Sequence, residues 1–197
     1  MSDVEEITQL LLHERQARDR GWWGRMAASY DVDSLIEVSW LKGTGAEFVE
    51  WSRATSKGGR PPGAHRLSPP VIDVKGDRGV AELPMNMAVR TLIAGVAADV
   101  SSALRVLYRL RRGEDGWKIQ TATAIYERDT LTPVVPGTML AIDEDELNRL
   151  REPYRFLAYV LTLEGLSPGG GLYGDDQPER VAELYQAAFG WLVGQEG

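Results

Sequence analysis

The hydrophobic positions change period along the chain. From Val4 to about Arg20 they recur at helical spacing: Val4, Ile7 and Leu11 mark one stripe, and Leu10 and Leu12 widen it. Ser2 stands ahead of this run as a cap, and Asp3, Glu5 and Glu6 suit the positive end of the helix dipole. Gly21 stops the helix. Trp22 to Ser29 reads as a second, short helix. Leu35 to Leu41 alternates, with Ile36, Val38 and Trp40 on one face, and predicts a strand. Gly43, Thr44 and Gly45 then turn the chain into a third helix over Ala46 to Ala54.

Beyond the loop at 57–63 the period becomes two. His65 to Val74 predicts a strand interrupted by Pro69 and Pro70. Val80 to Ile93 places Leu83, Met85, Met87, Val89 and Ile93 on one face. Ala97 to Arg111 sets Val100, Leu104, Val106, Tyr108 and Leu110 opposite Arg105, Arg109 and Arg111, and Trp117 to Glu127 is the last strand. Tight turns at Lys75–Asp77, Ala94–Gly95 and Gly113–Gly116 make antiparallel neighbours. Helices grouped ahead of such a meander predict an α+β fold. Its curved antiparallel sheet, packed on three N-terminal helices, forms a cone around a cavity. Thr132 to Gly137 reads as a linker. Helices are predicted from Asp143 to Leu150, through YRFLAYVLTLEGL, and from Pro178 to Val193. The chain therefore divides into a domain over 1–130 and a helical extension over 131–197. Tyr154, Phe156, Leu157, Val160 and Leu161 demand cover, so the extension packs on the domain or on a partner subunit.

Composition narrows the chemistry. The 197 residues carry a net charge of −7, which argues against nucleic acid as a partner. No run of about 18 apolar residues is present, the acidic N-terminus lacks a signal-peptide profile, and cysteine is absent. A cytoplasmic protein without membrane partner is expected. With two histidines, His13 and His65, and no thiolate, neither a metal nor another cofactor is expected. Carboxylates, arginines, hydroxyls and a lone imidazole remain.

His65 opens the sheet region and is the candidate general base; its alternative is a strand-end surface histidine. Such a base needs a carboxylate on its second ring nitrogen. Asp19 is the candidate, because it lies near the C-terminal end of the first helix, where the dipole disfavours an acid that lacks a partner. Asp31 and Asp33 read as turn residues. His13 sits on a polar helical face with Gln9, Gln16 and Arg20. Trp23, Trp40 and Asn86 are candidates for lining a cavity of roughly a few hundred Å³, and Tyr30 or Asn86 for polarising a substrate oxygen. Trp117 reads as core and Trp191 as packing of the tail. Water activation by paired carboxylates would need Arg90 with two acids, of which the strands supply Asp99. The glycine-rich stretch 167–174 lacks the lysine of a phosphate-binding loop.

Three stretches together resemble the SnoaL-like branch of the nuclear transport factor 2-like superfamily. They are LLHERQARDRGWWGRMAASYDVDSLIEVSWLKGTGAEFVEW, AHRLSPPVIDVKGDRGVAE and SALRVLYRLRRGEDGWKI, spanning roughly residues 4 to 130. The resemblance implies a cone-shaped α+β barrel with a deep pocket. It also implies an aspartate and histidine pair of the kind used by dehydratase and dehydrochlorinase members, carried here by Asp19 and His65. The second pocket histidine of scytalone dehydratase-like members has no counterpart, and the dehydrochlorinase-like arginine falls near Gln120. The implied activity is a cofactor-free lyase or isomerase, such as a dehydratase or polyketide cyclase, acting on a small, mostly apolar ring-containing molecule. The alternative is a non-catalytic ligand-binding or interaction module of the same fold. A homo-oligomer, a homodimer in the simplest case, is expected.

Overall fold

The computed structural model describes residues 1–38, 41–57, 63–168 and 171–195. Helix α1 (Asp3–Arg20) begins at a capping box, in which Ser2 Oγ accepts from the Glu5 backbone and the Glu5 carboxylate accepts from the Ser2 backbone. It ends at Gly21, whose φ of 70° is a left-handed conformation that a side chain would disfavour. Helix α2 (Trp23–Ala27) follows. The strand predicted over Leu35 to Leu41 is in fact two. Strand β1 (Tyr30–Val38) pairs antiparallel with β2 (Leu41–Thr44), from Leu35 against Thr44 to Val38 against Leu41. Helix α3 (Gly45–Lys57) then crosses back, with Phe48 and Val49 buried.

The interruption at Pro69 and Pro70 is likewise a full break. Strands β3 (Ala64–Leu67) and β4 (Val71–Lys75) each pair with β5 (Arg78–Ile93), because two consecutive residues without N–H cannot continue a ladder. Strands β6 (Val96–Gly113) and β7 (Gly116–Pro133) complete the meander. The sheet order is β2-β1-β7-β6-β5-β3, with β4 also on β5 and the short β8 (Tyr173–Gly174) on β7. The sheet is mixed rather than wholly antiparallel, since β1 and β8 run parallel to β7. Neither of those two strands reaches β7 through a tight turn, so nothing forces an antiparallel pairing.

The inner face matches the alternation. Leu83 faces Val106, Met85 faces Leu104 and Met87 faces Ser102, all buried, and Ile7, Leu11 and Phe48 pack into the same core. The tail is part of this body. Strand β7 runs past residue 130 to Pro133, and the Val134 N–H donates to Ala97 C=O at 2.9 Å. After α4 (Glu144–Leu147), helix α5 (Arg155–Leu163) buries Leu157, Val160 and Leu161 in the main core. Helix α6 (Pro178–Leu192) packs Val181, Ala188 and Leu192 on Val80, Leu107 and Ile125 of the outer sheet face. The arginines of that face hold it there: Arg105 bonds to Tyr185, Glu127 and Asp175, while Arg78 and Arg109 stack on the Trp191 ring. Among the described residues, no helix is long and apolar enough to cross a membrane.

Candidate active site

Asp19 and His65 meet across the α1–β3 contact. Their side chains bond at 2.6 Å, Nδ1 to Oδ1, and the other carboxylate oxygen accepts the His65 backbone N–H at 2.8 Å. Asp19 therefore fixes both the ring and the strand that carries it. The acid placed against the helix dipole has found its partner, and Arg18 lies 4.0 Å from the same carboxylate. Burial raises the affinity of Asp19 for a proton, but the bonds to His65 outweigh it and hold the carboxyl below its usual range. The His65 side chain is only 5% exposed. Burial pushes its imidazolium down to about 4, against the opposing pull of Asp19, and Arg18 and Arg15 add to the lowering. An ionised carboxylate only accepts, so Nδ1 carries the proton and Nε2 keeps its lone pair.

The pair borders a groove of about 410 Å³, lined also by Leu12, Gln16, Gly63 and Leu67. The interior cavity lies next to it. This cavity measures about 90 Å³ and is walled by Trp23, Trp51, Met87, Val89 and Val100, with Leu157, Val160 and Leu161 of α5 closing one side. It is smaller than the few hundred Å³ expected, and α5 of the extension occupies one of its walls. Gly63 borders both spaces, Met87 is the register partner of His65, and Arg18 adjoins Asp19. Neither member of the pair lines the cavity itself.

The other predicted residues divide. Trp23 lines the cavity. Trp40 lies outside the described residues. Tyr30 is buried and does not line the cavity, and its hydroxyl donates to Glu14 at 2.5 Å, so it is already committed. Asn86 points to the opposite sheet face from Met85 and Met87, where it accepts from Ser101 Oγ at 3.0 Å. Its parity with Ala88 is correct, but that parity belongs to the outer face. Arg90 and Asp99 bond to each other in a two-pronged, half-exposed pair at 2.6 and 2.9 Å. His13 is exposed, Trp117 is buried and donates to Asp3, and Trp191 anchors the tail. Among the described residues no group of three or more histidine, aspartate or glutamate side chains is placed to hold a metal ion.

Sequence reasoning missed a buried polar cluster on α1. Glu14 is 0% exposed and Arg15 6%; they form a two-pronged ion pair under Tyr30. Arg15 and Arg18 each place the guanidinium 5.6 Å from the Phe48 ring centre. The signal was present: positions 7, 11, 14, 15 and 18 continue one helical stripe, so charged residues there extend an apolar face.

A model of the SnoaL-like domain matches residues 1–123. An uncharacterized protein of Emericella nidulans is 29% identical, over 91% of this chain and 81% of that protein. Pea pathogenicity protein 2 of Fusarium vanettenii is 28% identical over the same shares. A match over 91% of the chain reaches well into the extension. Among solved structures, a hexachlorocyclohexane dehydrochlorinase (LinA Type2) superposes with a TM-score of 0.56 at 12% identity, over 71% of this chain and 93% of that one. An NTF2-like family protein from Streptomyces avermitilis gives 0.51 at 17%, over 62% and 94%. At such identities the structures show a shared fold. With more than half of its length matched by the family model, the chain belongs to the SnoaL-like domain family, within the NTF2-like fold.

Proposed function

We propose that the protein is a cofactor-free lyase or isomerase of the dehydratase or cyclase type, acting on a small, mostly apolar molecule with a ring. The contact between Asp19 and His65 carries this reading. Nε2 of His65 takes a proton from a carbon beside an electron-withdrawing group. The C–H electron pair forms a double bond, and in an elimination the leaving group departs with its own pair. Asp19 holds the tautomer and stabilises the imidazolium as it forms. Trp23 supplies an aromatic wall. Small movements of Met87 or Gly63 join the pair to the cavity.

The test is proton exchange. A panel of single-ring ketones and β-hydroxy ketones in deuterated water, followed by NMR, detects proton abstraction whatever the final product. Asp19→Asn and His65→Asn should each lower the rate by roughly 10²–10⁴-fold. Retention of full rate by both variants would overturn the assignment. A second reading, a non-catalytic ligand-binding module, is favoured by the small size of the cavity. Ligand binding without exchange of any substrate would select it. Self-association is proposed through the outer-face groove between β1 and α6, where Leu35 stays exposed beside Leu184. A monomer by light scattering would refute that.

A further inference from the structure

Helix α3 lines the interior cavity with three hydroxyl residues, Ser52, Thr55 and Ser56, spaced i, i+3 and i+4 along one stripe. Two of the hydroxyls are committed. Thr55 Oγ1 donates to the Trp51 carbonyl at 3.0 Å, and Ser56 Oγ donates to the Ser52 carbonyl at 2.9 Å. Bonding back to the preceding turn is the ordinary outlet for such residues inside a helix. Ser52 does not use it. Its side chain lines the cavity, the residue is 3% exposed, and the hydroxyl has no hydrogen-bond partner among the described residues. A buried hydroxyl in that state costs stability unless a ligand completes it.

The charged residues on the same wall are Arg18, Arg90 and Glu164, of mixed sign. Arg90 is held by Asp99 at 2.6 and 2.9 Å. Arg18 and Glu164 are both partnered, Arg18 in part by Asp19 at 4.0 Å. Arg90 and Glu164 are also exposed, so water screens them. An ionic guest would give up its hydration in the cavity and meet charges that already have partners, whereas a neutral guest gives up little.

We propose that Ser52 determines the specificity of the cavity, which takes a neutral single-ring molecule and reads one uncharged oxygen on it, a hydroxyl or a carbonyl. The inference rests on the proposed function and deepens it, by giving the substrate a charge state and one required oxygen. A serine hydroxyl suits either group, because it donates to a carbonyl and pairs with a hydroxyl in both directions. It fills the contact to a substrate oxygen expected of Tyr30 or Asn86, both of which are committed elsewhere. The volume of about 90 Å³ holds the guest to about one ring, with Trp23 and Trp51 as its aromatic walls.

Phenol and toluene share a shape and differ by one hydroxyl, while benzamide and benzoate share a shape and differ in charge. Calorimetry at pH 7 on the parent and on Ser52→Ala provides the test. Ser52→Ala should weaken phenol by roughly five- to tenfold and leave toluene within about twofold, so that toluene also reports an intact cavity. Ser52→Cys, close in shape but a weak donor, should lose phenol affinity in the same direction. In the parent, benzamide should bind roughly tenfold or more tightly than benzoate. His65→Asn, which removes the proposed base, should keep the parent's ratio of phenol to toluene affinity. The Ser52 effect on phenol, found in a parent that exchanges no substrate proton, would leave the subsite standing and remove the catalytic reading. Unchanged phenol affinity in Ser52→Ala, equal losses of phenol and toluene, tighter binding of benzoate than of benzamide, or no phenol binding at millimolar concentration would overturn the proposal.

Discussion

Replacing His65 by glutamine should change how stability depends on pH more than how large it is at neutrality. In the folded chain the imidazolium titrates near 4, whereas an unfolded histidine titrates near 6.5. Between those values the unfolded chain binds a proton that the folded chain refuses, so stability rises with pH across this window. Integrated from pH 7.5 to 4.5, the buried ring lowers folding stability by about 2–3 kcal/mol as the solution is acidified. Glutamine does not titrate, and its amide N–H can still reach the Asp19 carboxylate.

Asp129 acts with the opposite sign. Burial raises its carboxyl to about 6, against the donated N–H groups of Leu157 and Phe156. Its contribution is therefore complete below about 4 and is lost as pH rises through 6. In the parent the two slopes oppose each other and flatten the profile. The clean readout is the difference between parent and His65→Gln unfolding free energies, from urea melts followed by far-UV circular dichroism at pH 7.5 and 4.5. That difference should shift by about 2–3 kcal/mol, with the variant relatively better at low pH. Asp19 stays out of this window, because its folded carboxyl titrates below the usual carboxylate range. A difference constant within about 0.5 kcal/mol would show that the imidazole is not buried as described, and with it would go the argument for a neutral base.

Two further outcomes are expected. Ala94 sits at φ 47° and Gly95 at φ 84° in the β5–β6 hairpin, so Ala94→Asn should raise stability by about 1 kcal/mol in a urea melt, since asparagine tolerates the left-handed region far better. Tyr108 is 0% exposed and its hydroxyl has no partner among the described residues, so Tyr108→Phe should stabilise by about 1 kcal/mol, read as a higher melting temperature.

What could be read from the sequence was mostly local. The capping box at Ser2, the stop at Gly21 and the alternation through β5 and β6 depend on neighbours a few residues apart, and each is found in the structure. The Asp19–His65 contact spans 46 positions, yet it was legible because a carboxylate near a helix C-terminus needs a partner. Asn86 was misplaced because β5 carries apolar residues on both faces: Val80 on the outer face meets α6 as firmly as Leu83 on the inner face meets the core. Pattern alone cannot rank two such faces. Glu14 and Arg15 escaped because charge on a helix ordinarily signals solvent, and only the fold shows that they neutralise each other inside it.

Helix α5 shows the same limit at larger scale, and it ties stability to cavity volume. Its stripe announced burial without saying against what. The structure sets Leu157, Val160 and Leu161 across the cavity and anchors the start of the helix through Asp129, which accepts the Leu157 N–H at 2.7 Å. Those side chains belong to the main core, where truncating one leucine costs about 2–5 kcal/mol. They also set the cavity volume. A wider cavity therefore requires either a smaller residue at a core position or a displaced helix, and both draw on the folding free energy. The anchoring carboxyl titrates near 6, so its buried charge, formed as pH rises through that value, weighs against the fold that the helix completes. The cavity volume in this chain is thus set not by the curved sheet alone, which the family fold supplies, but also by helix α5 packed against it.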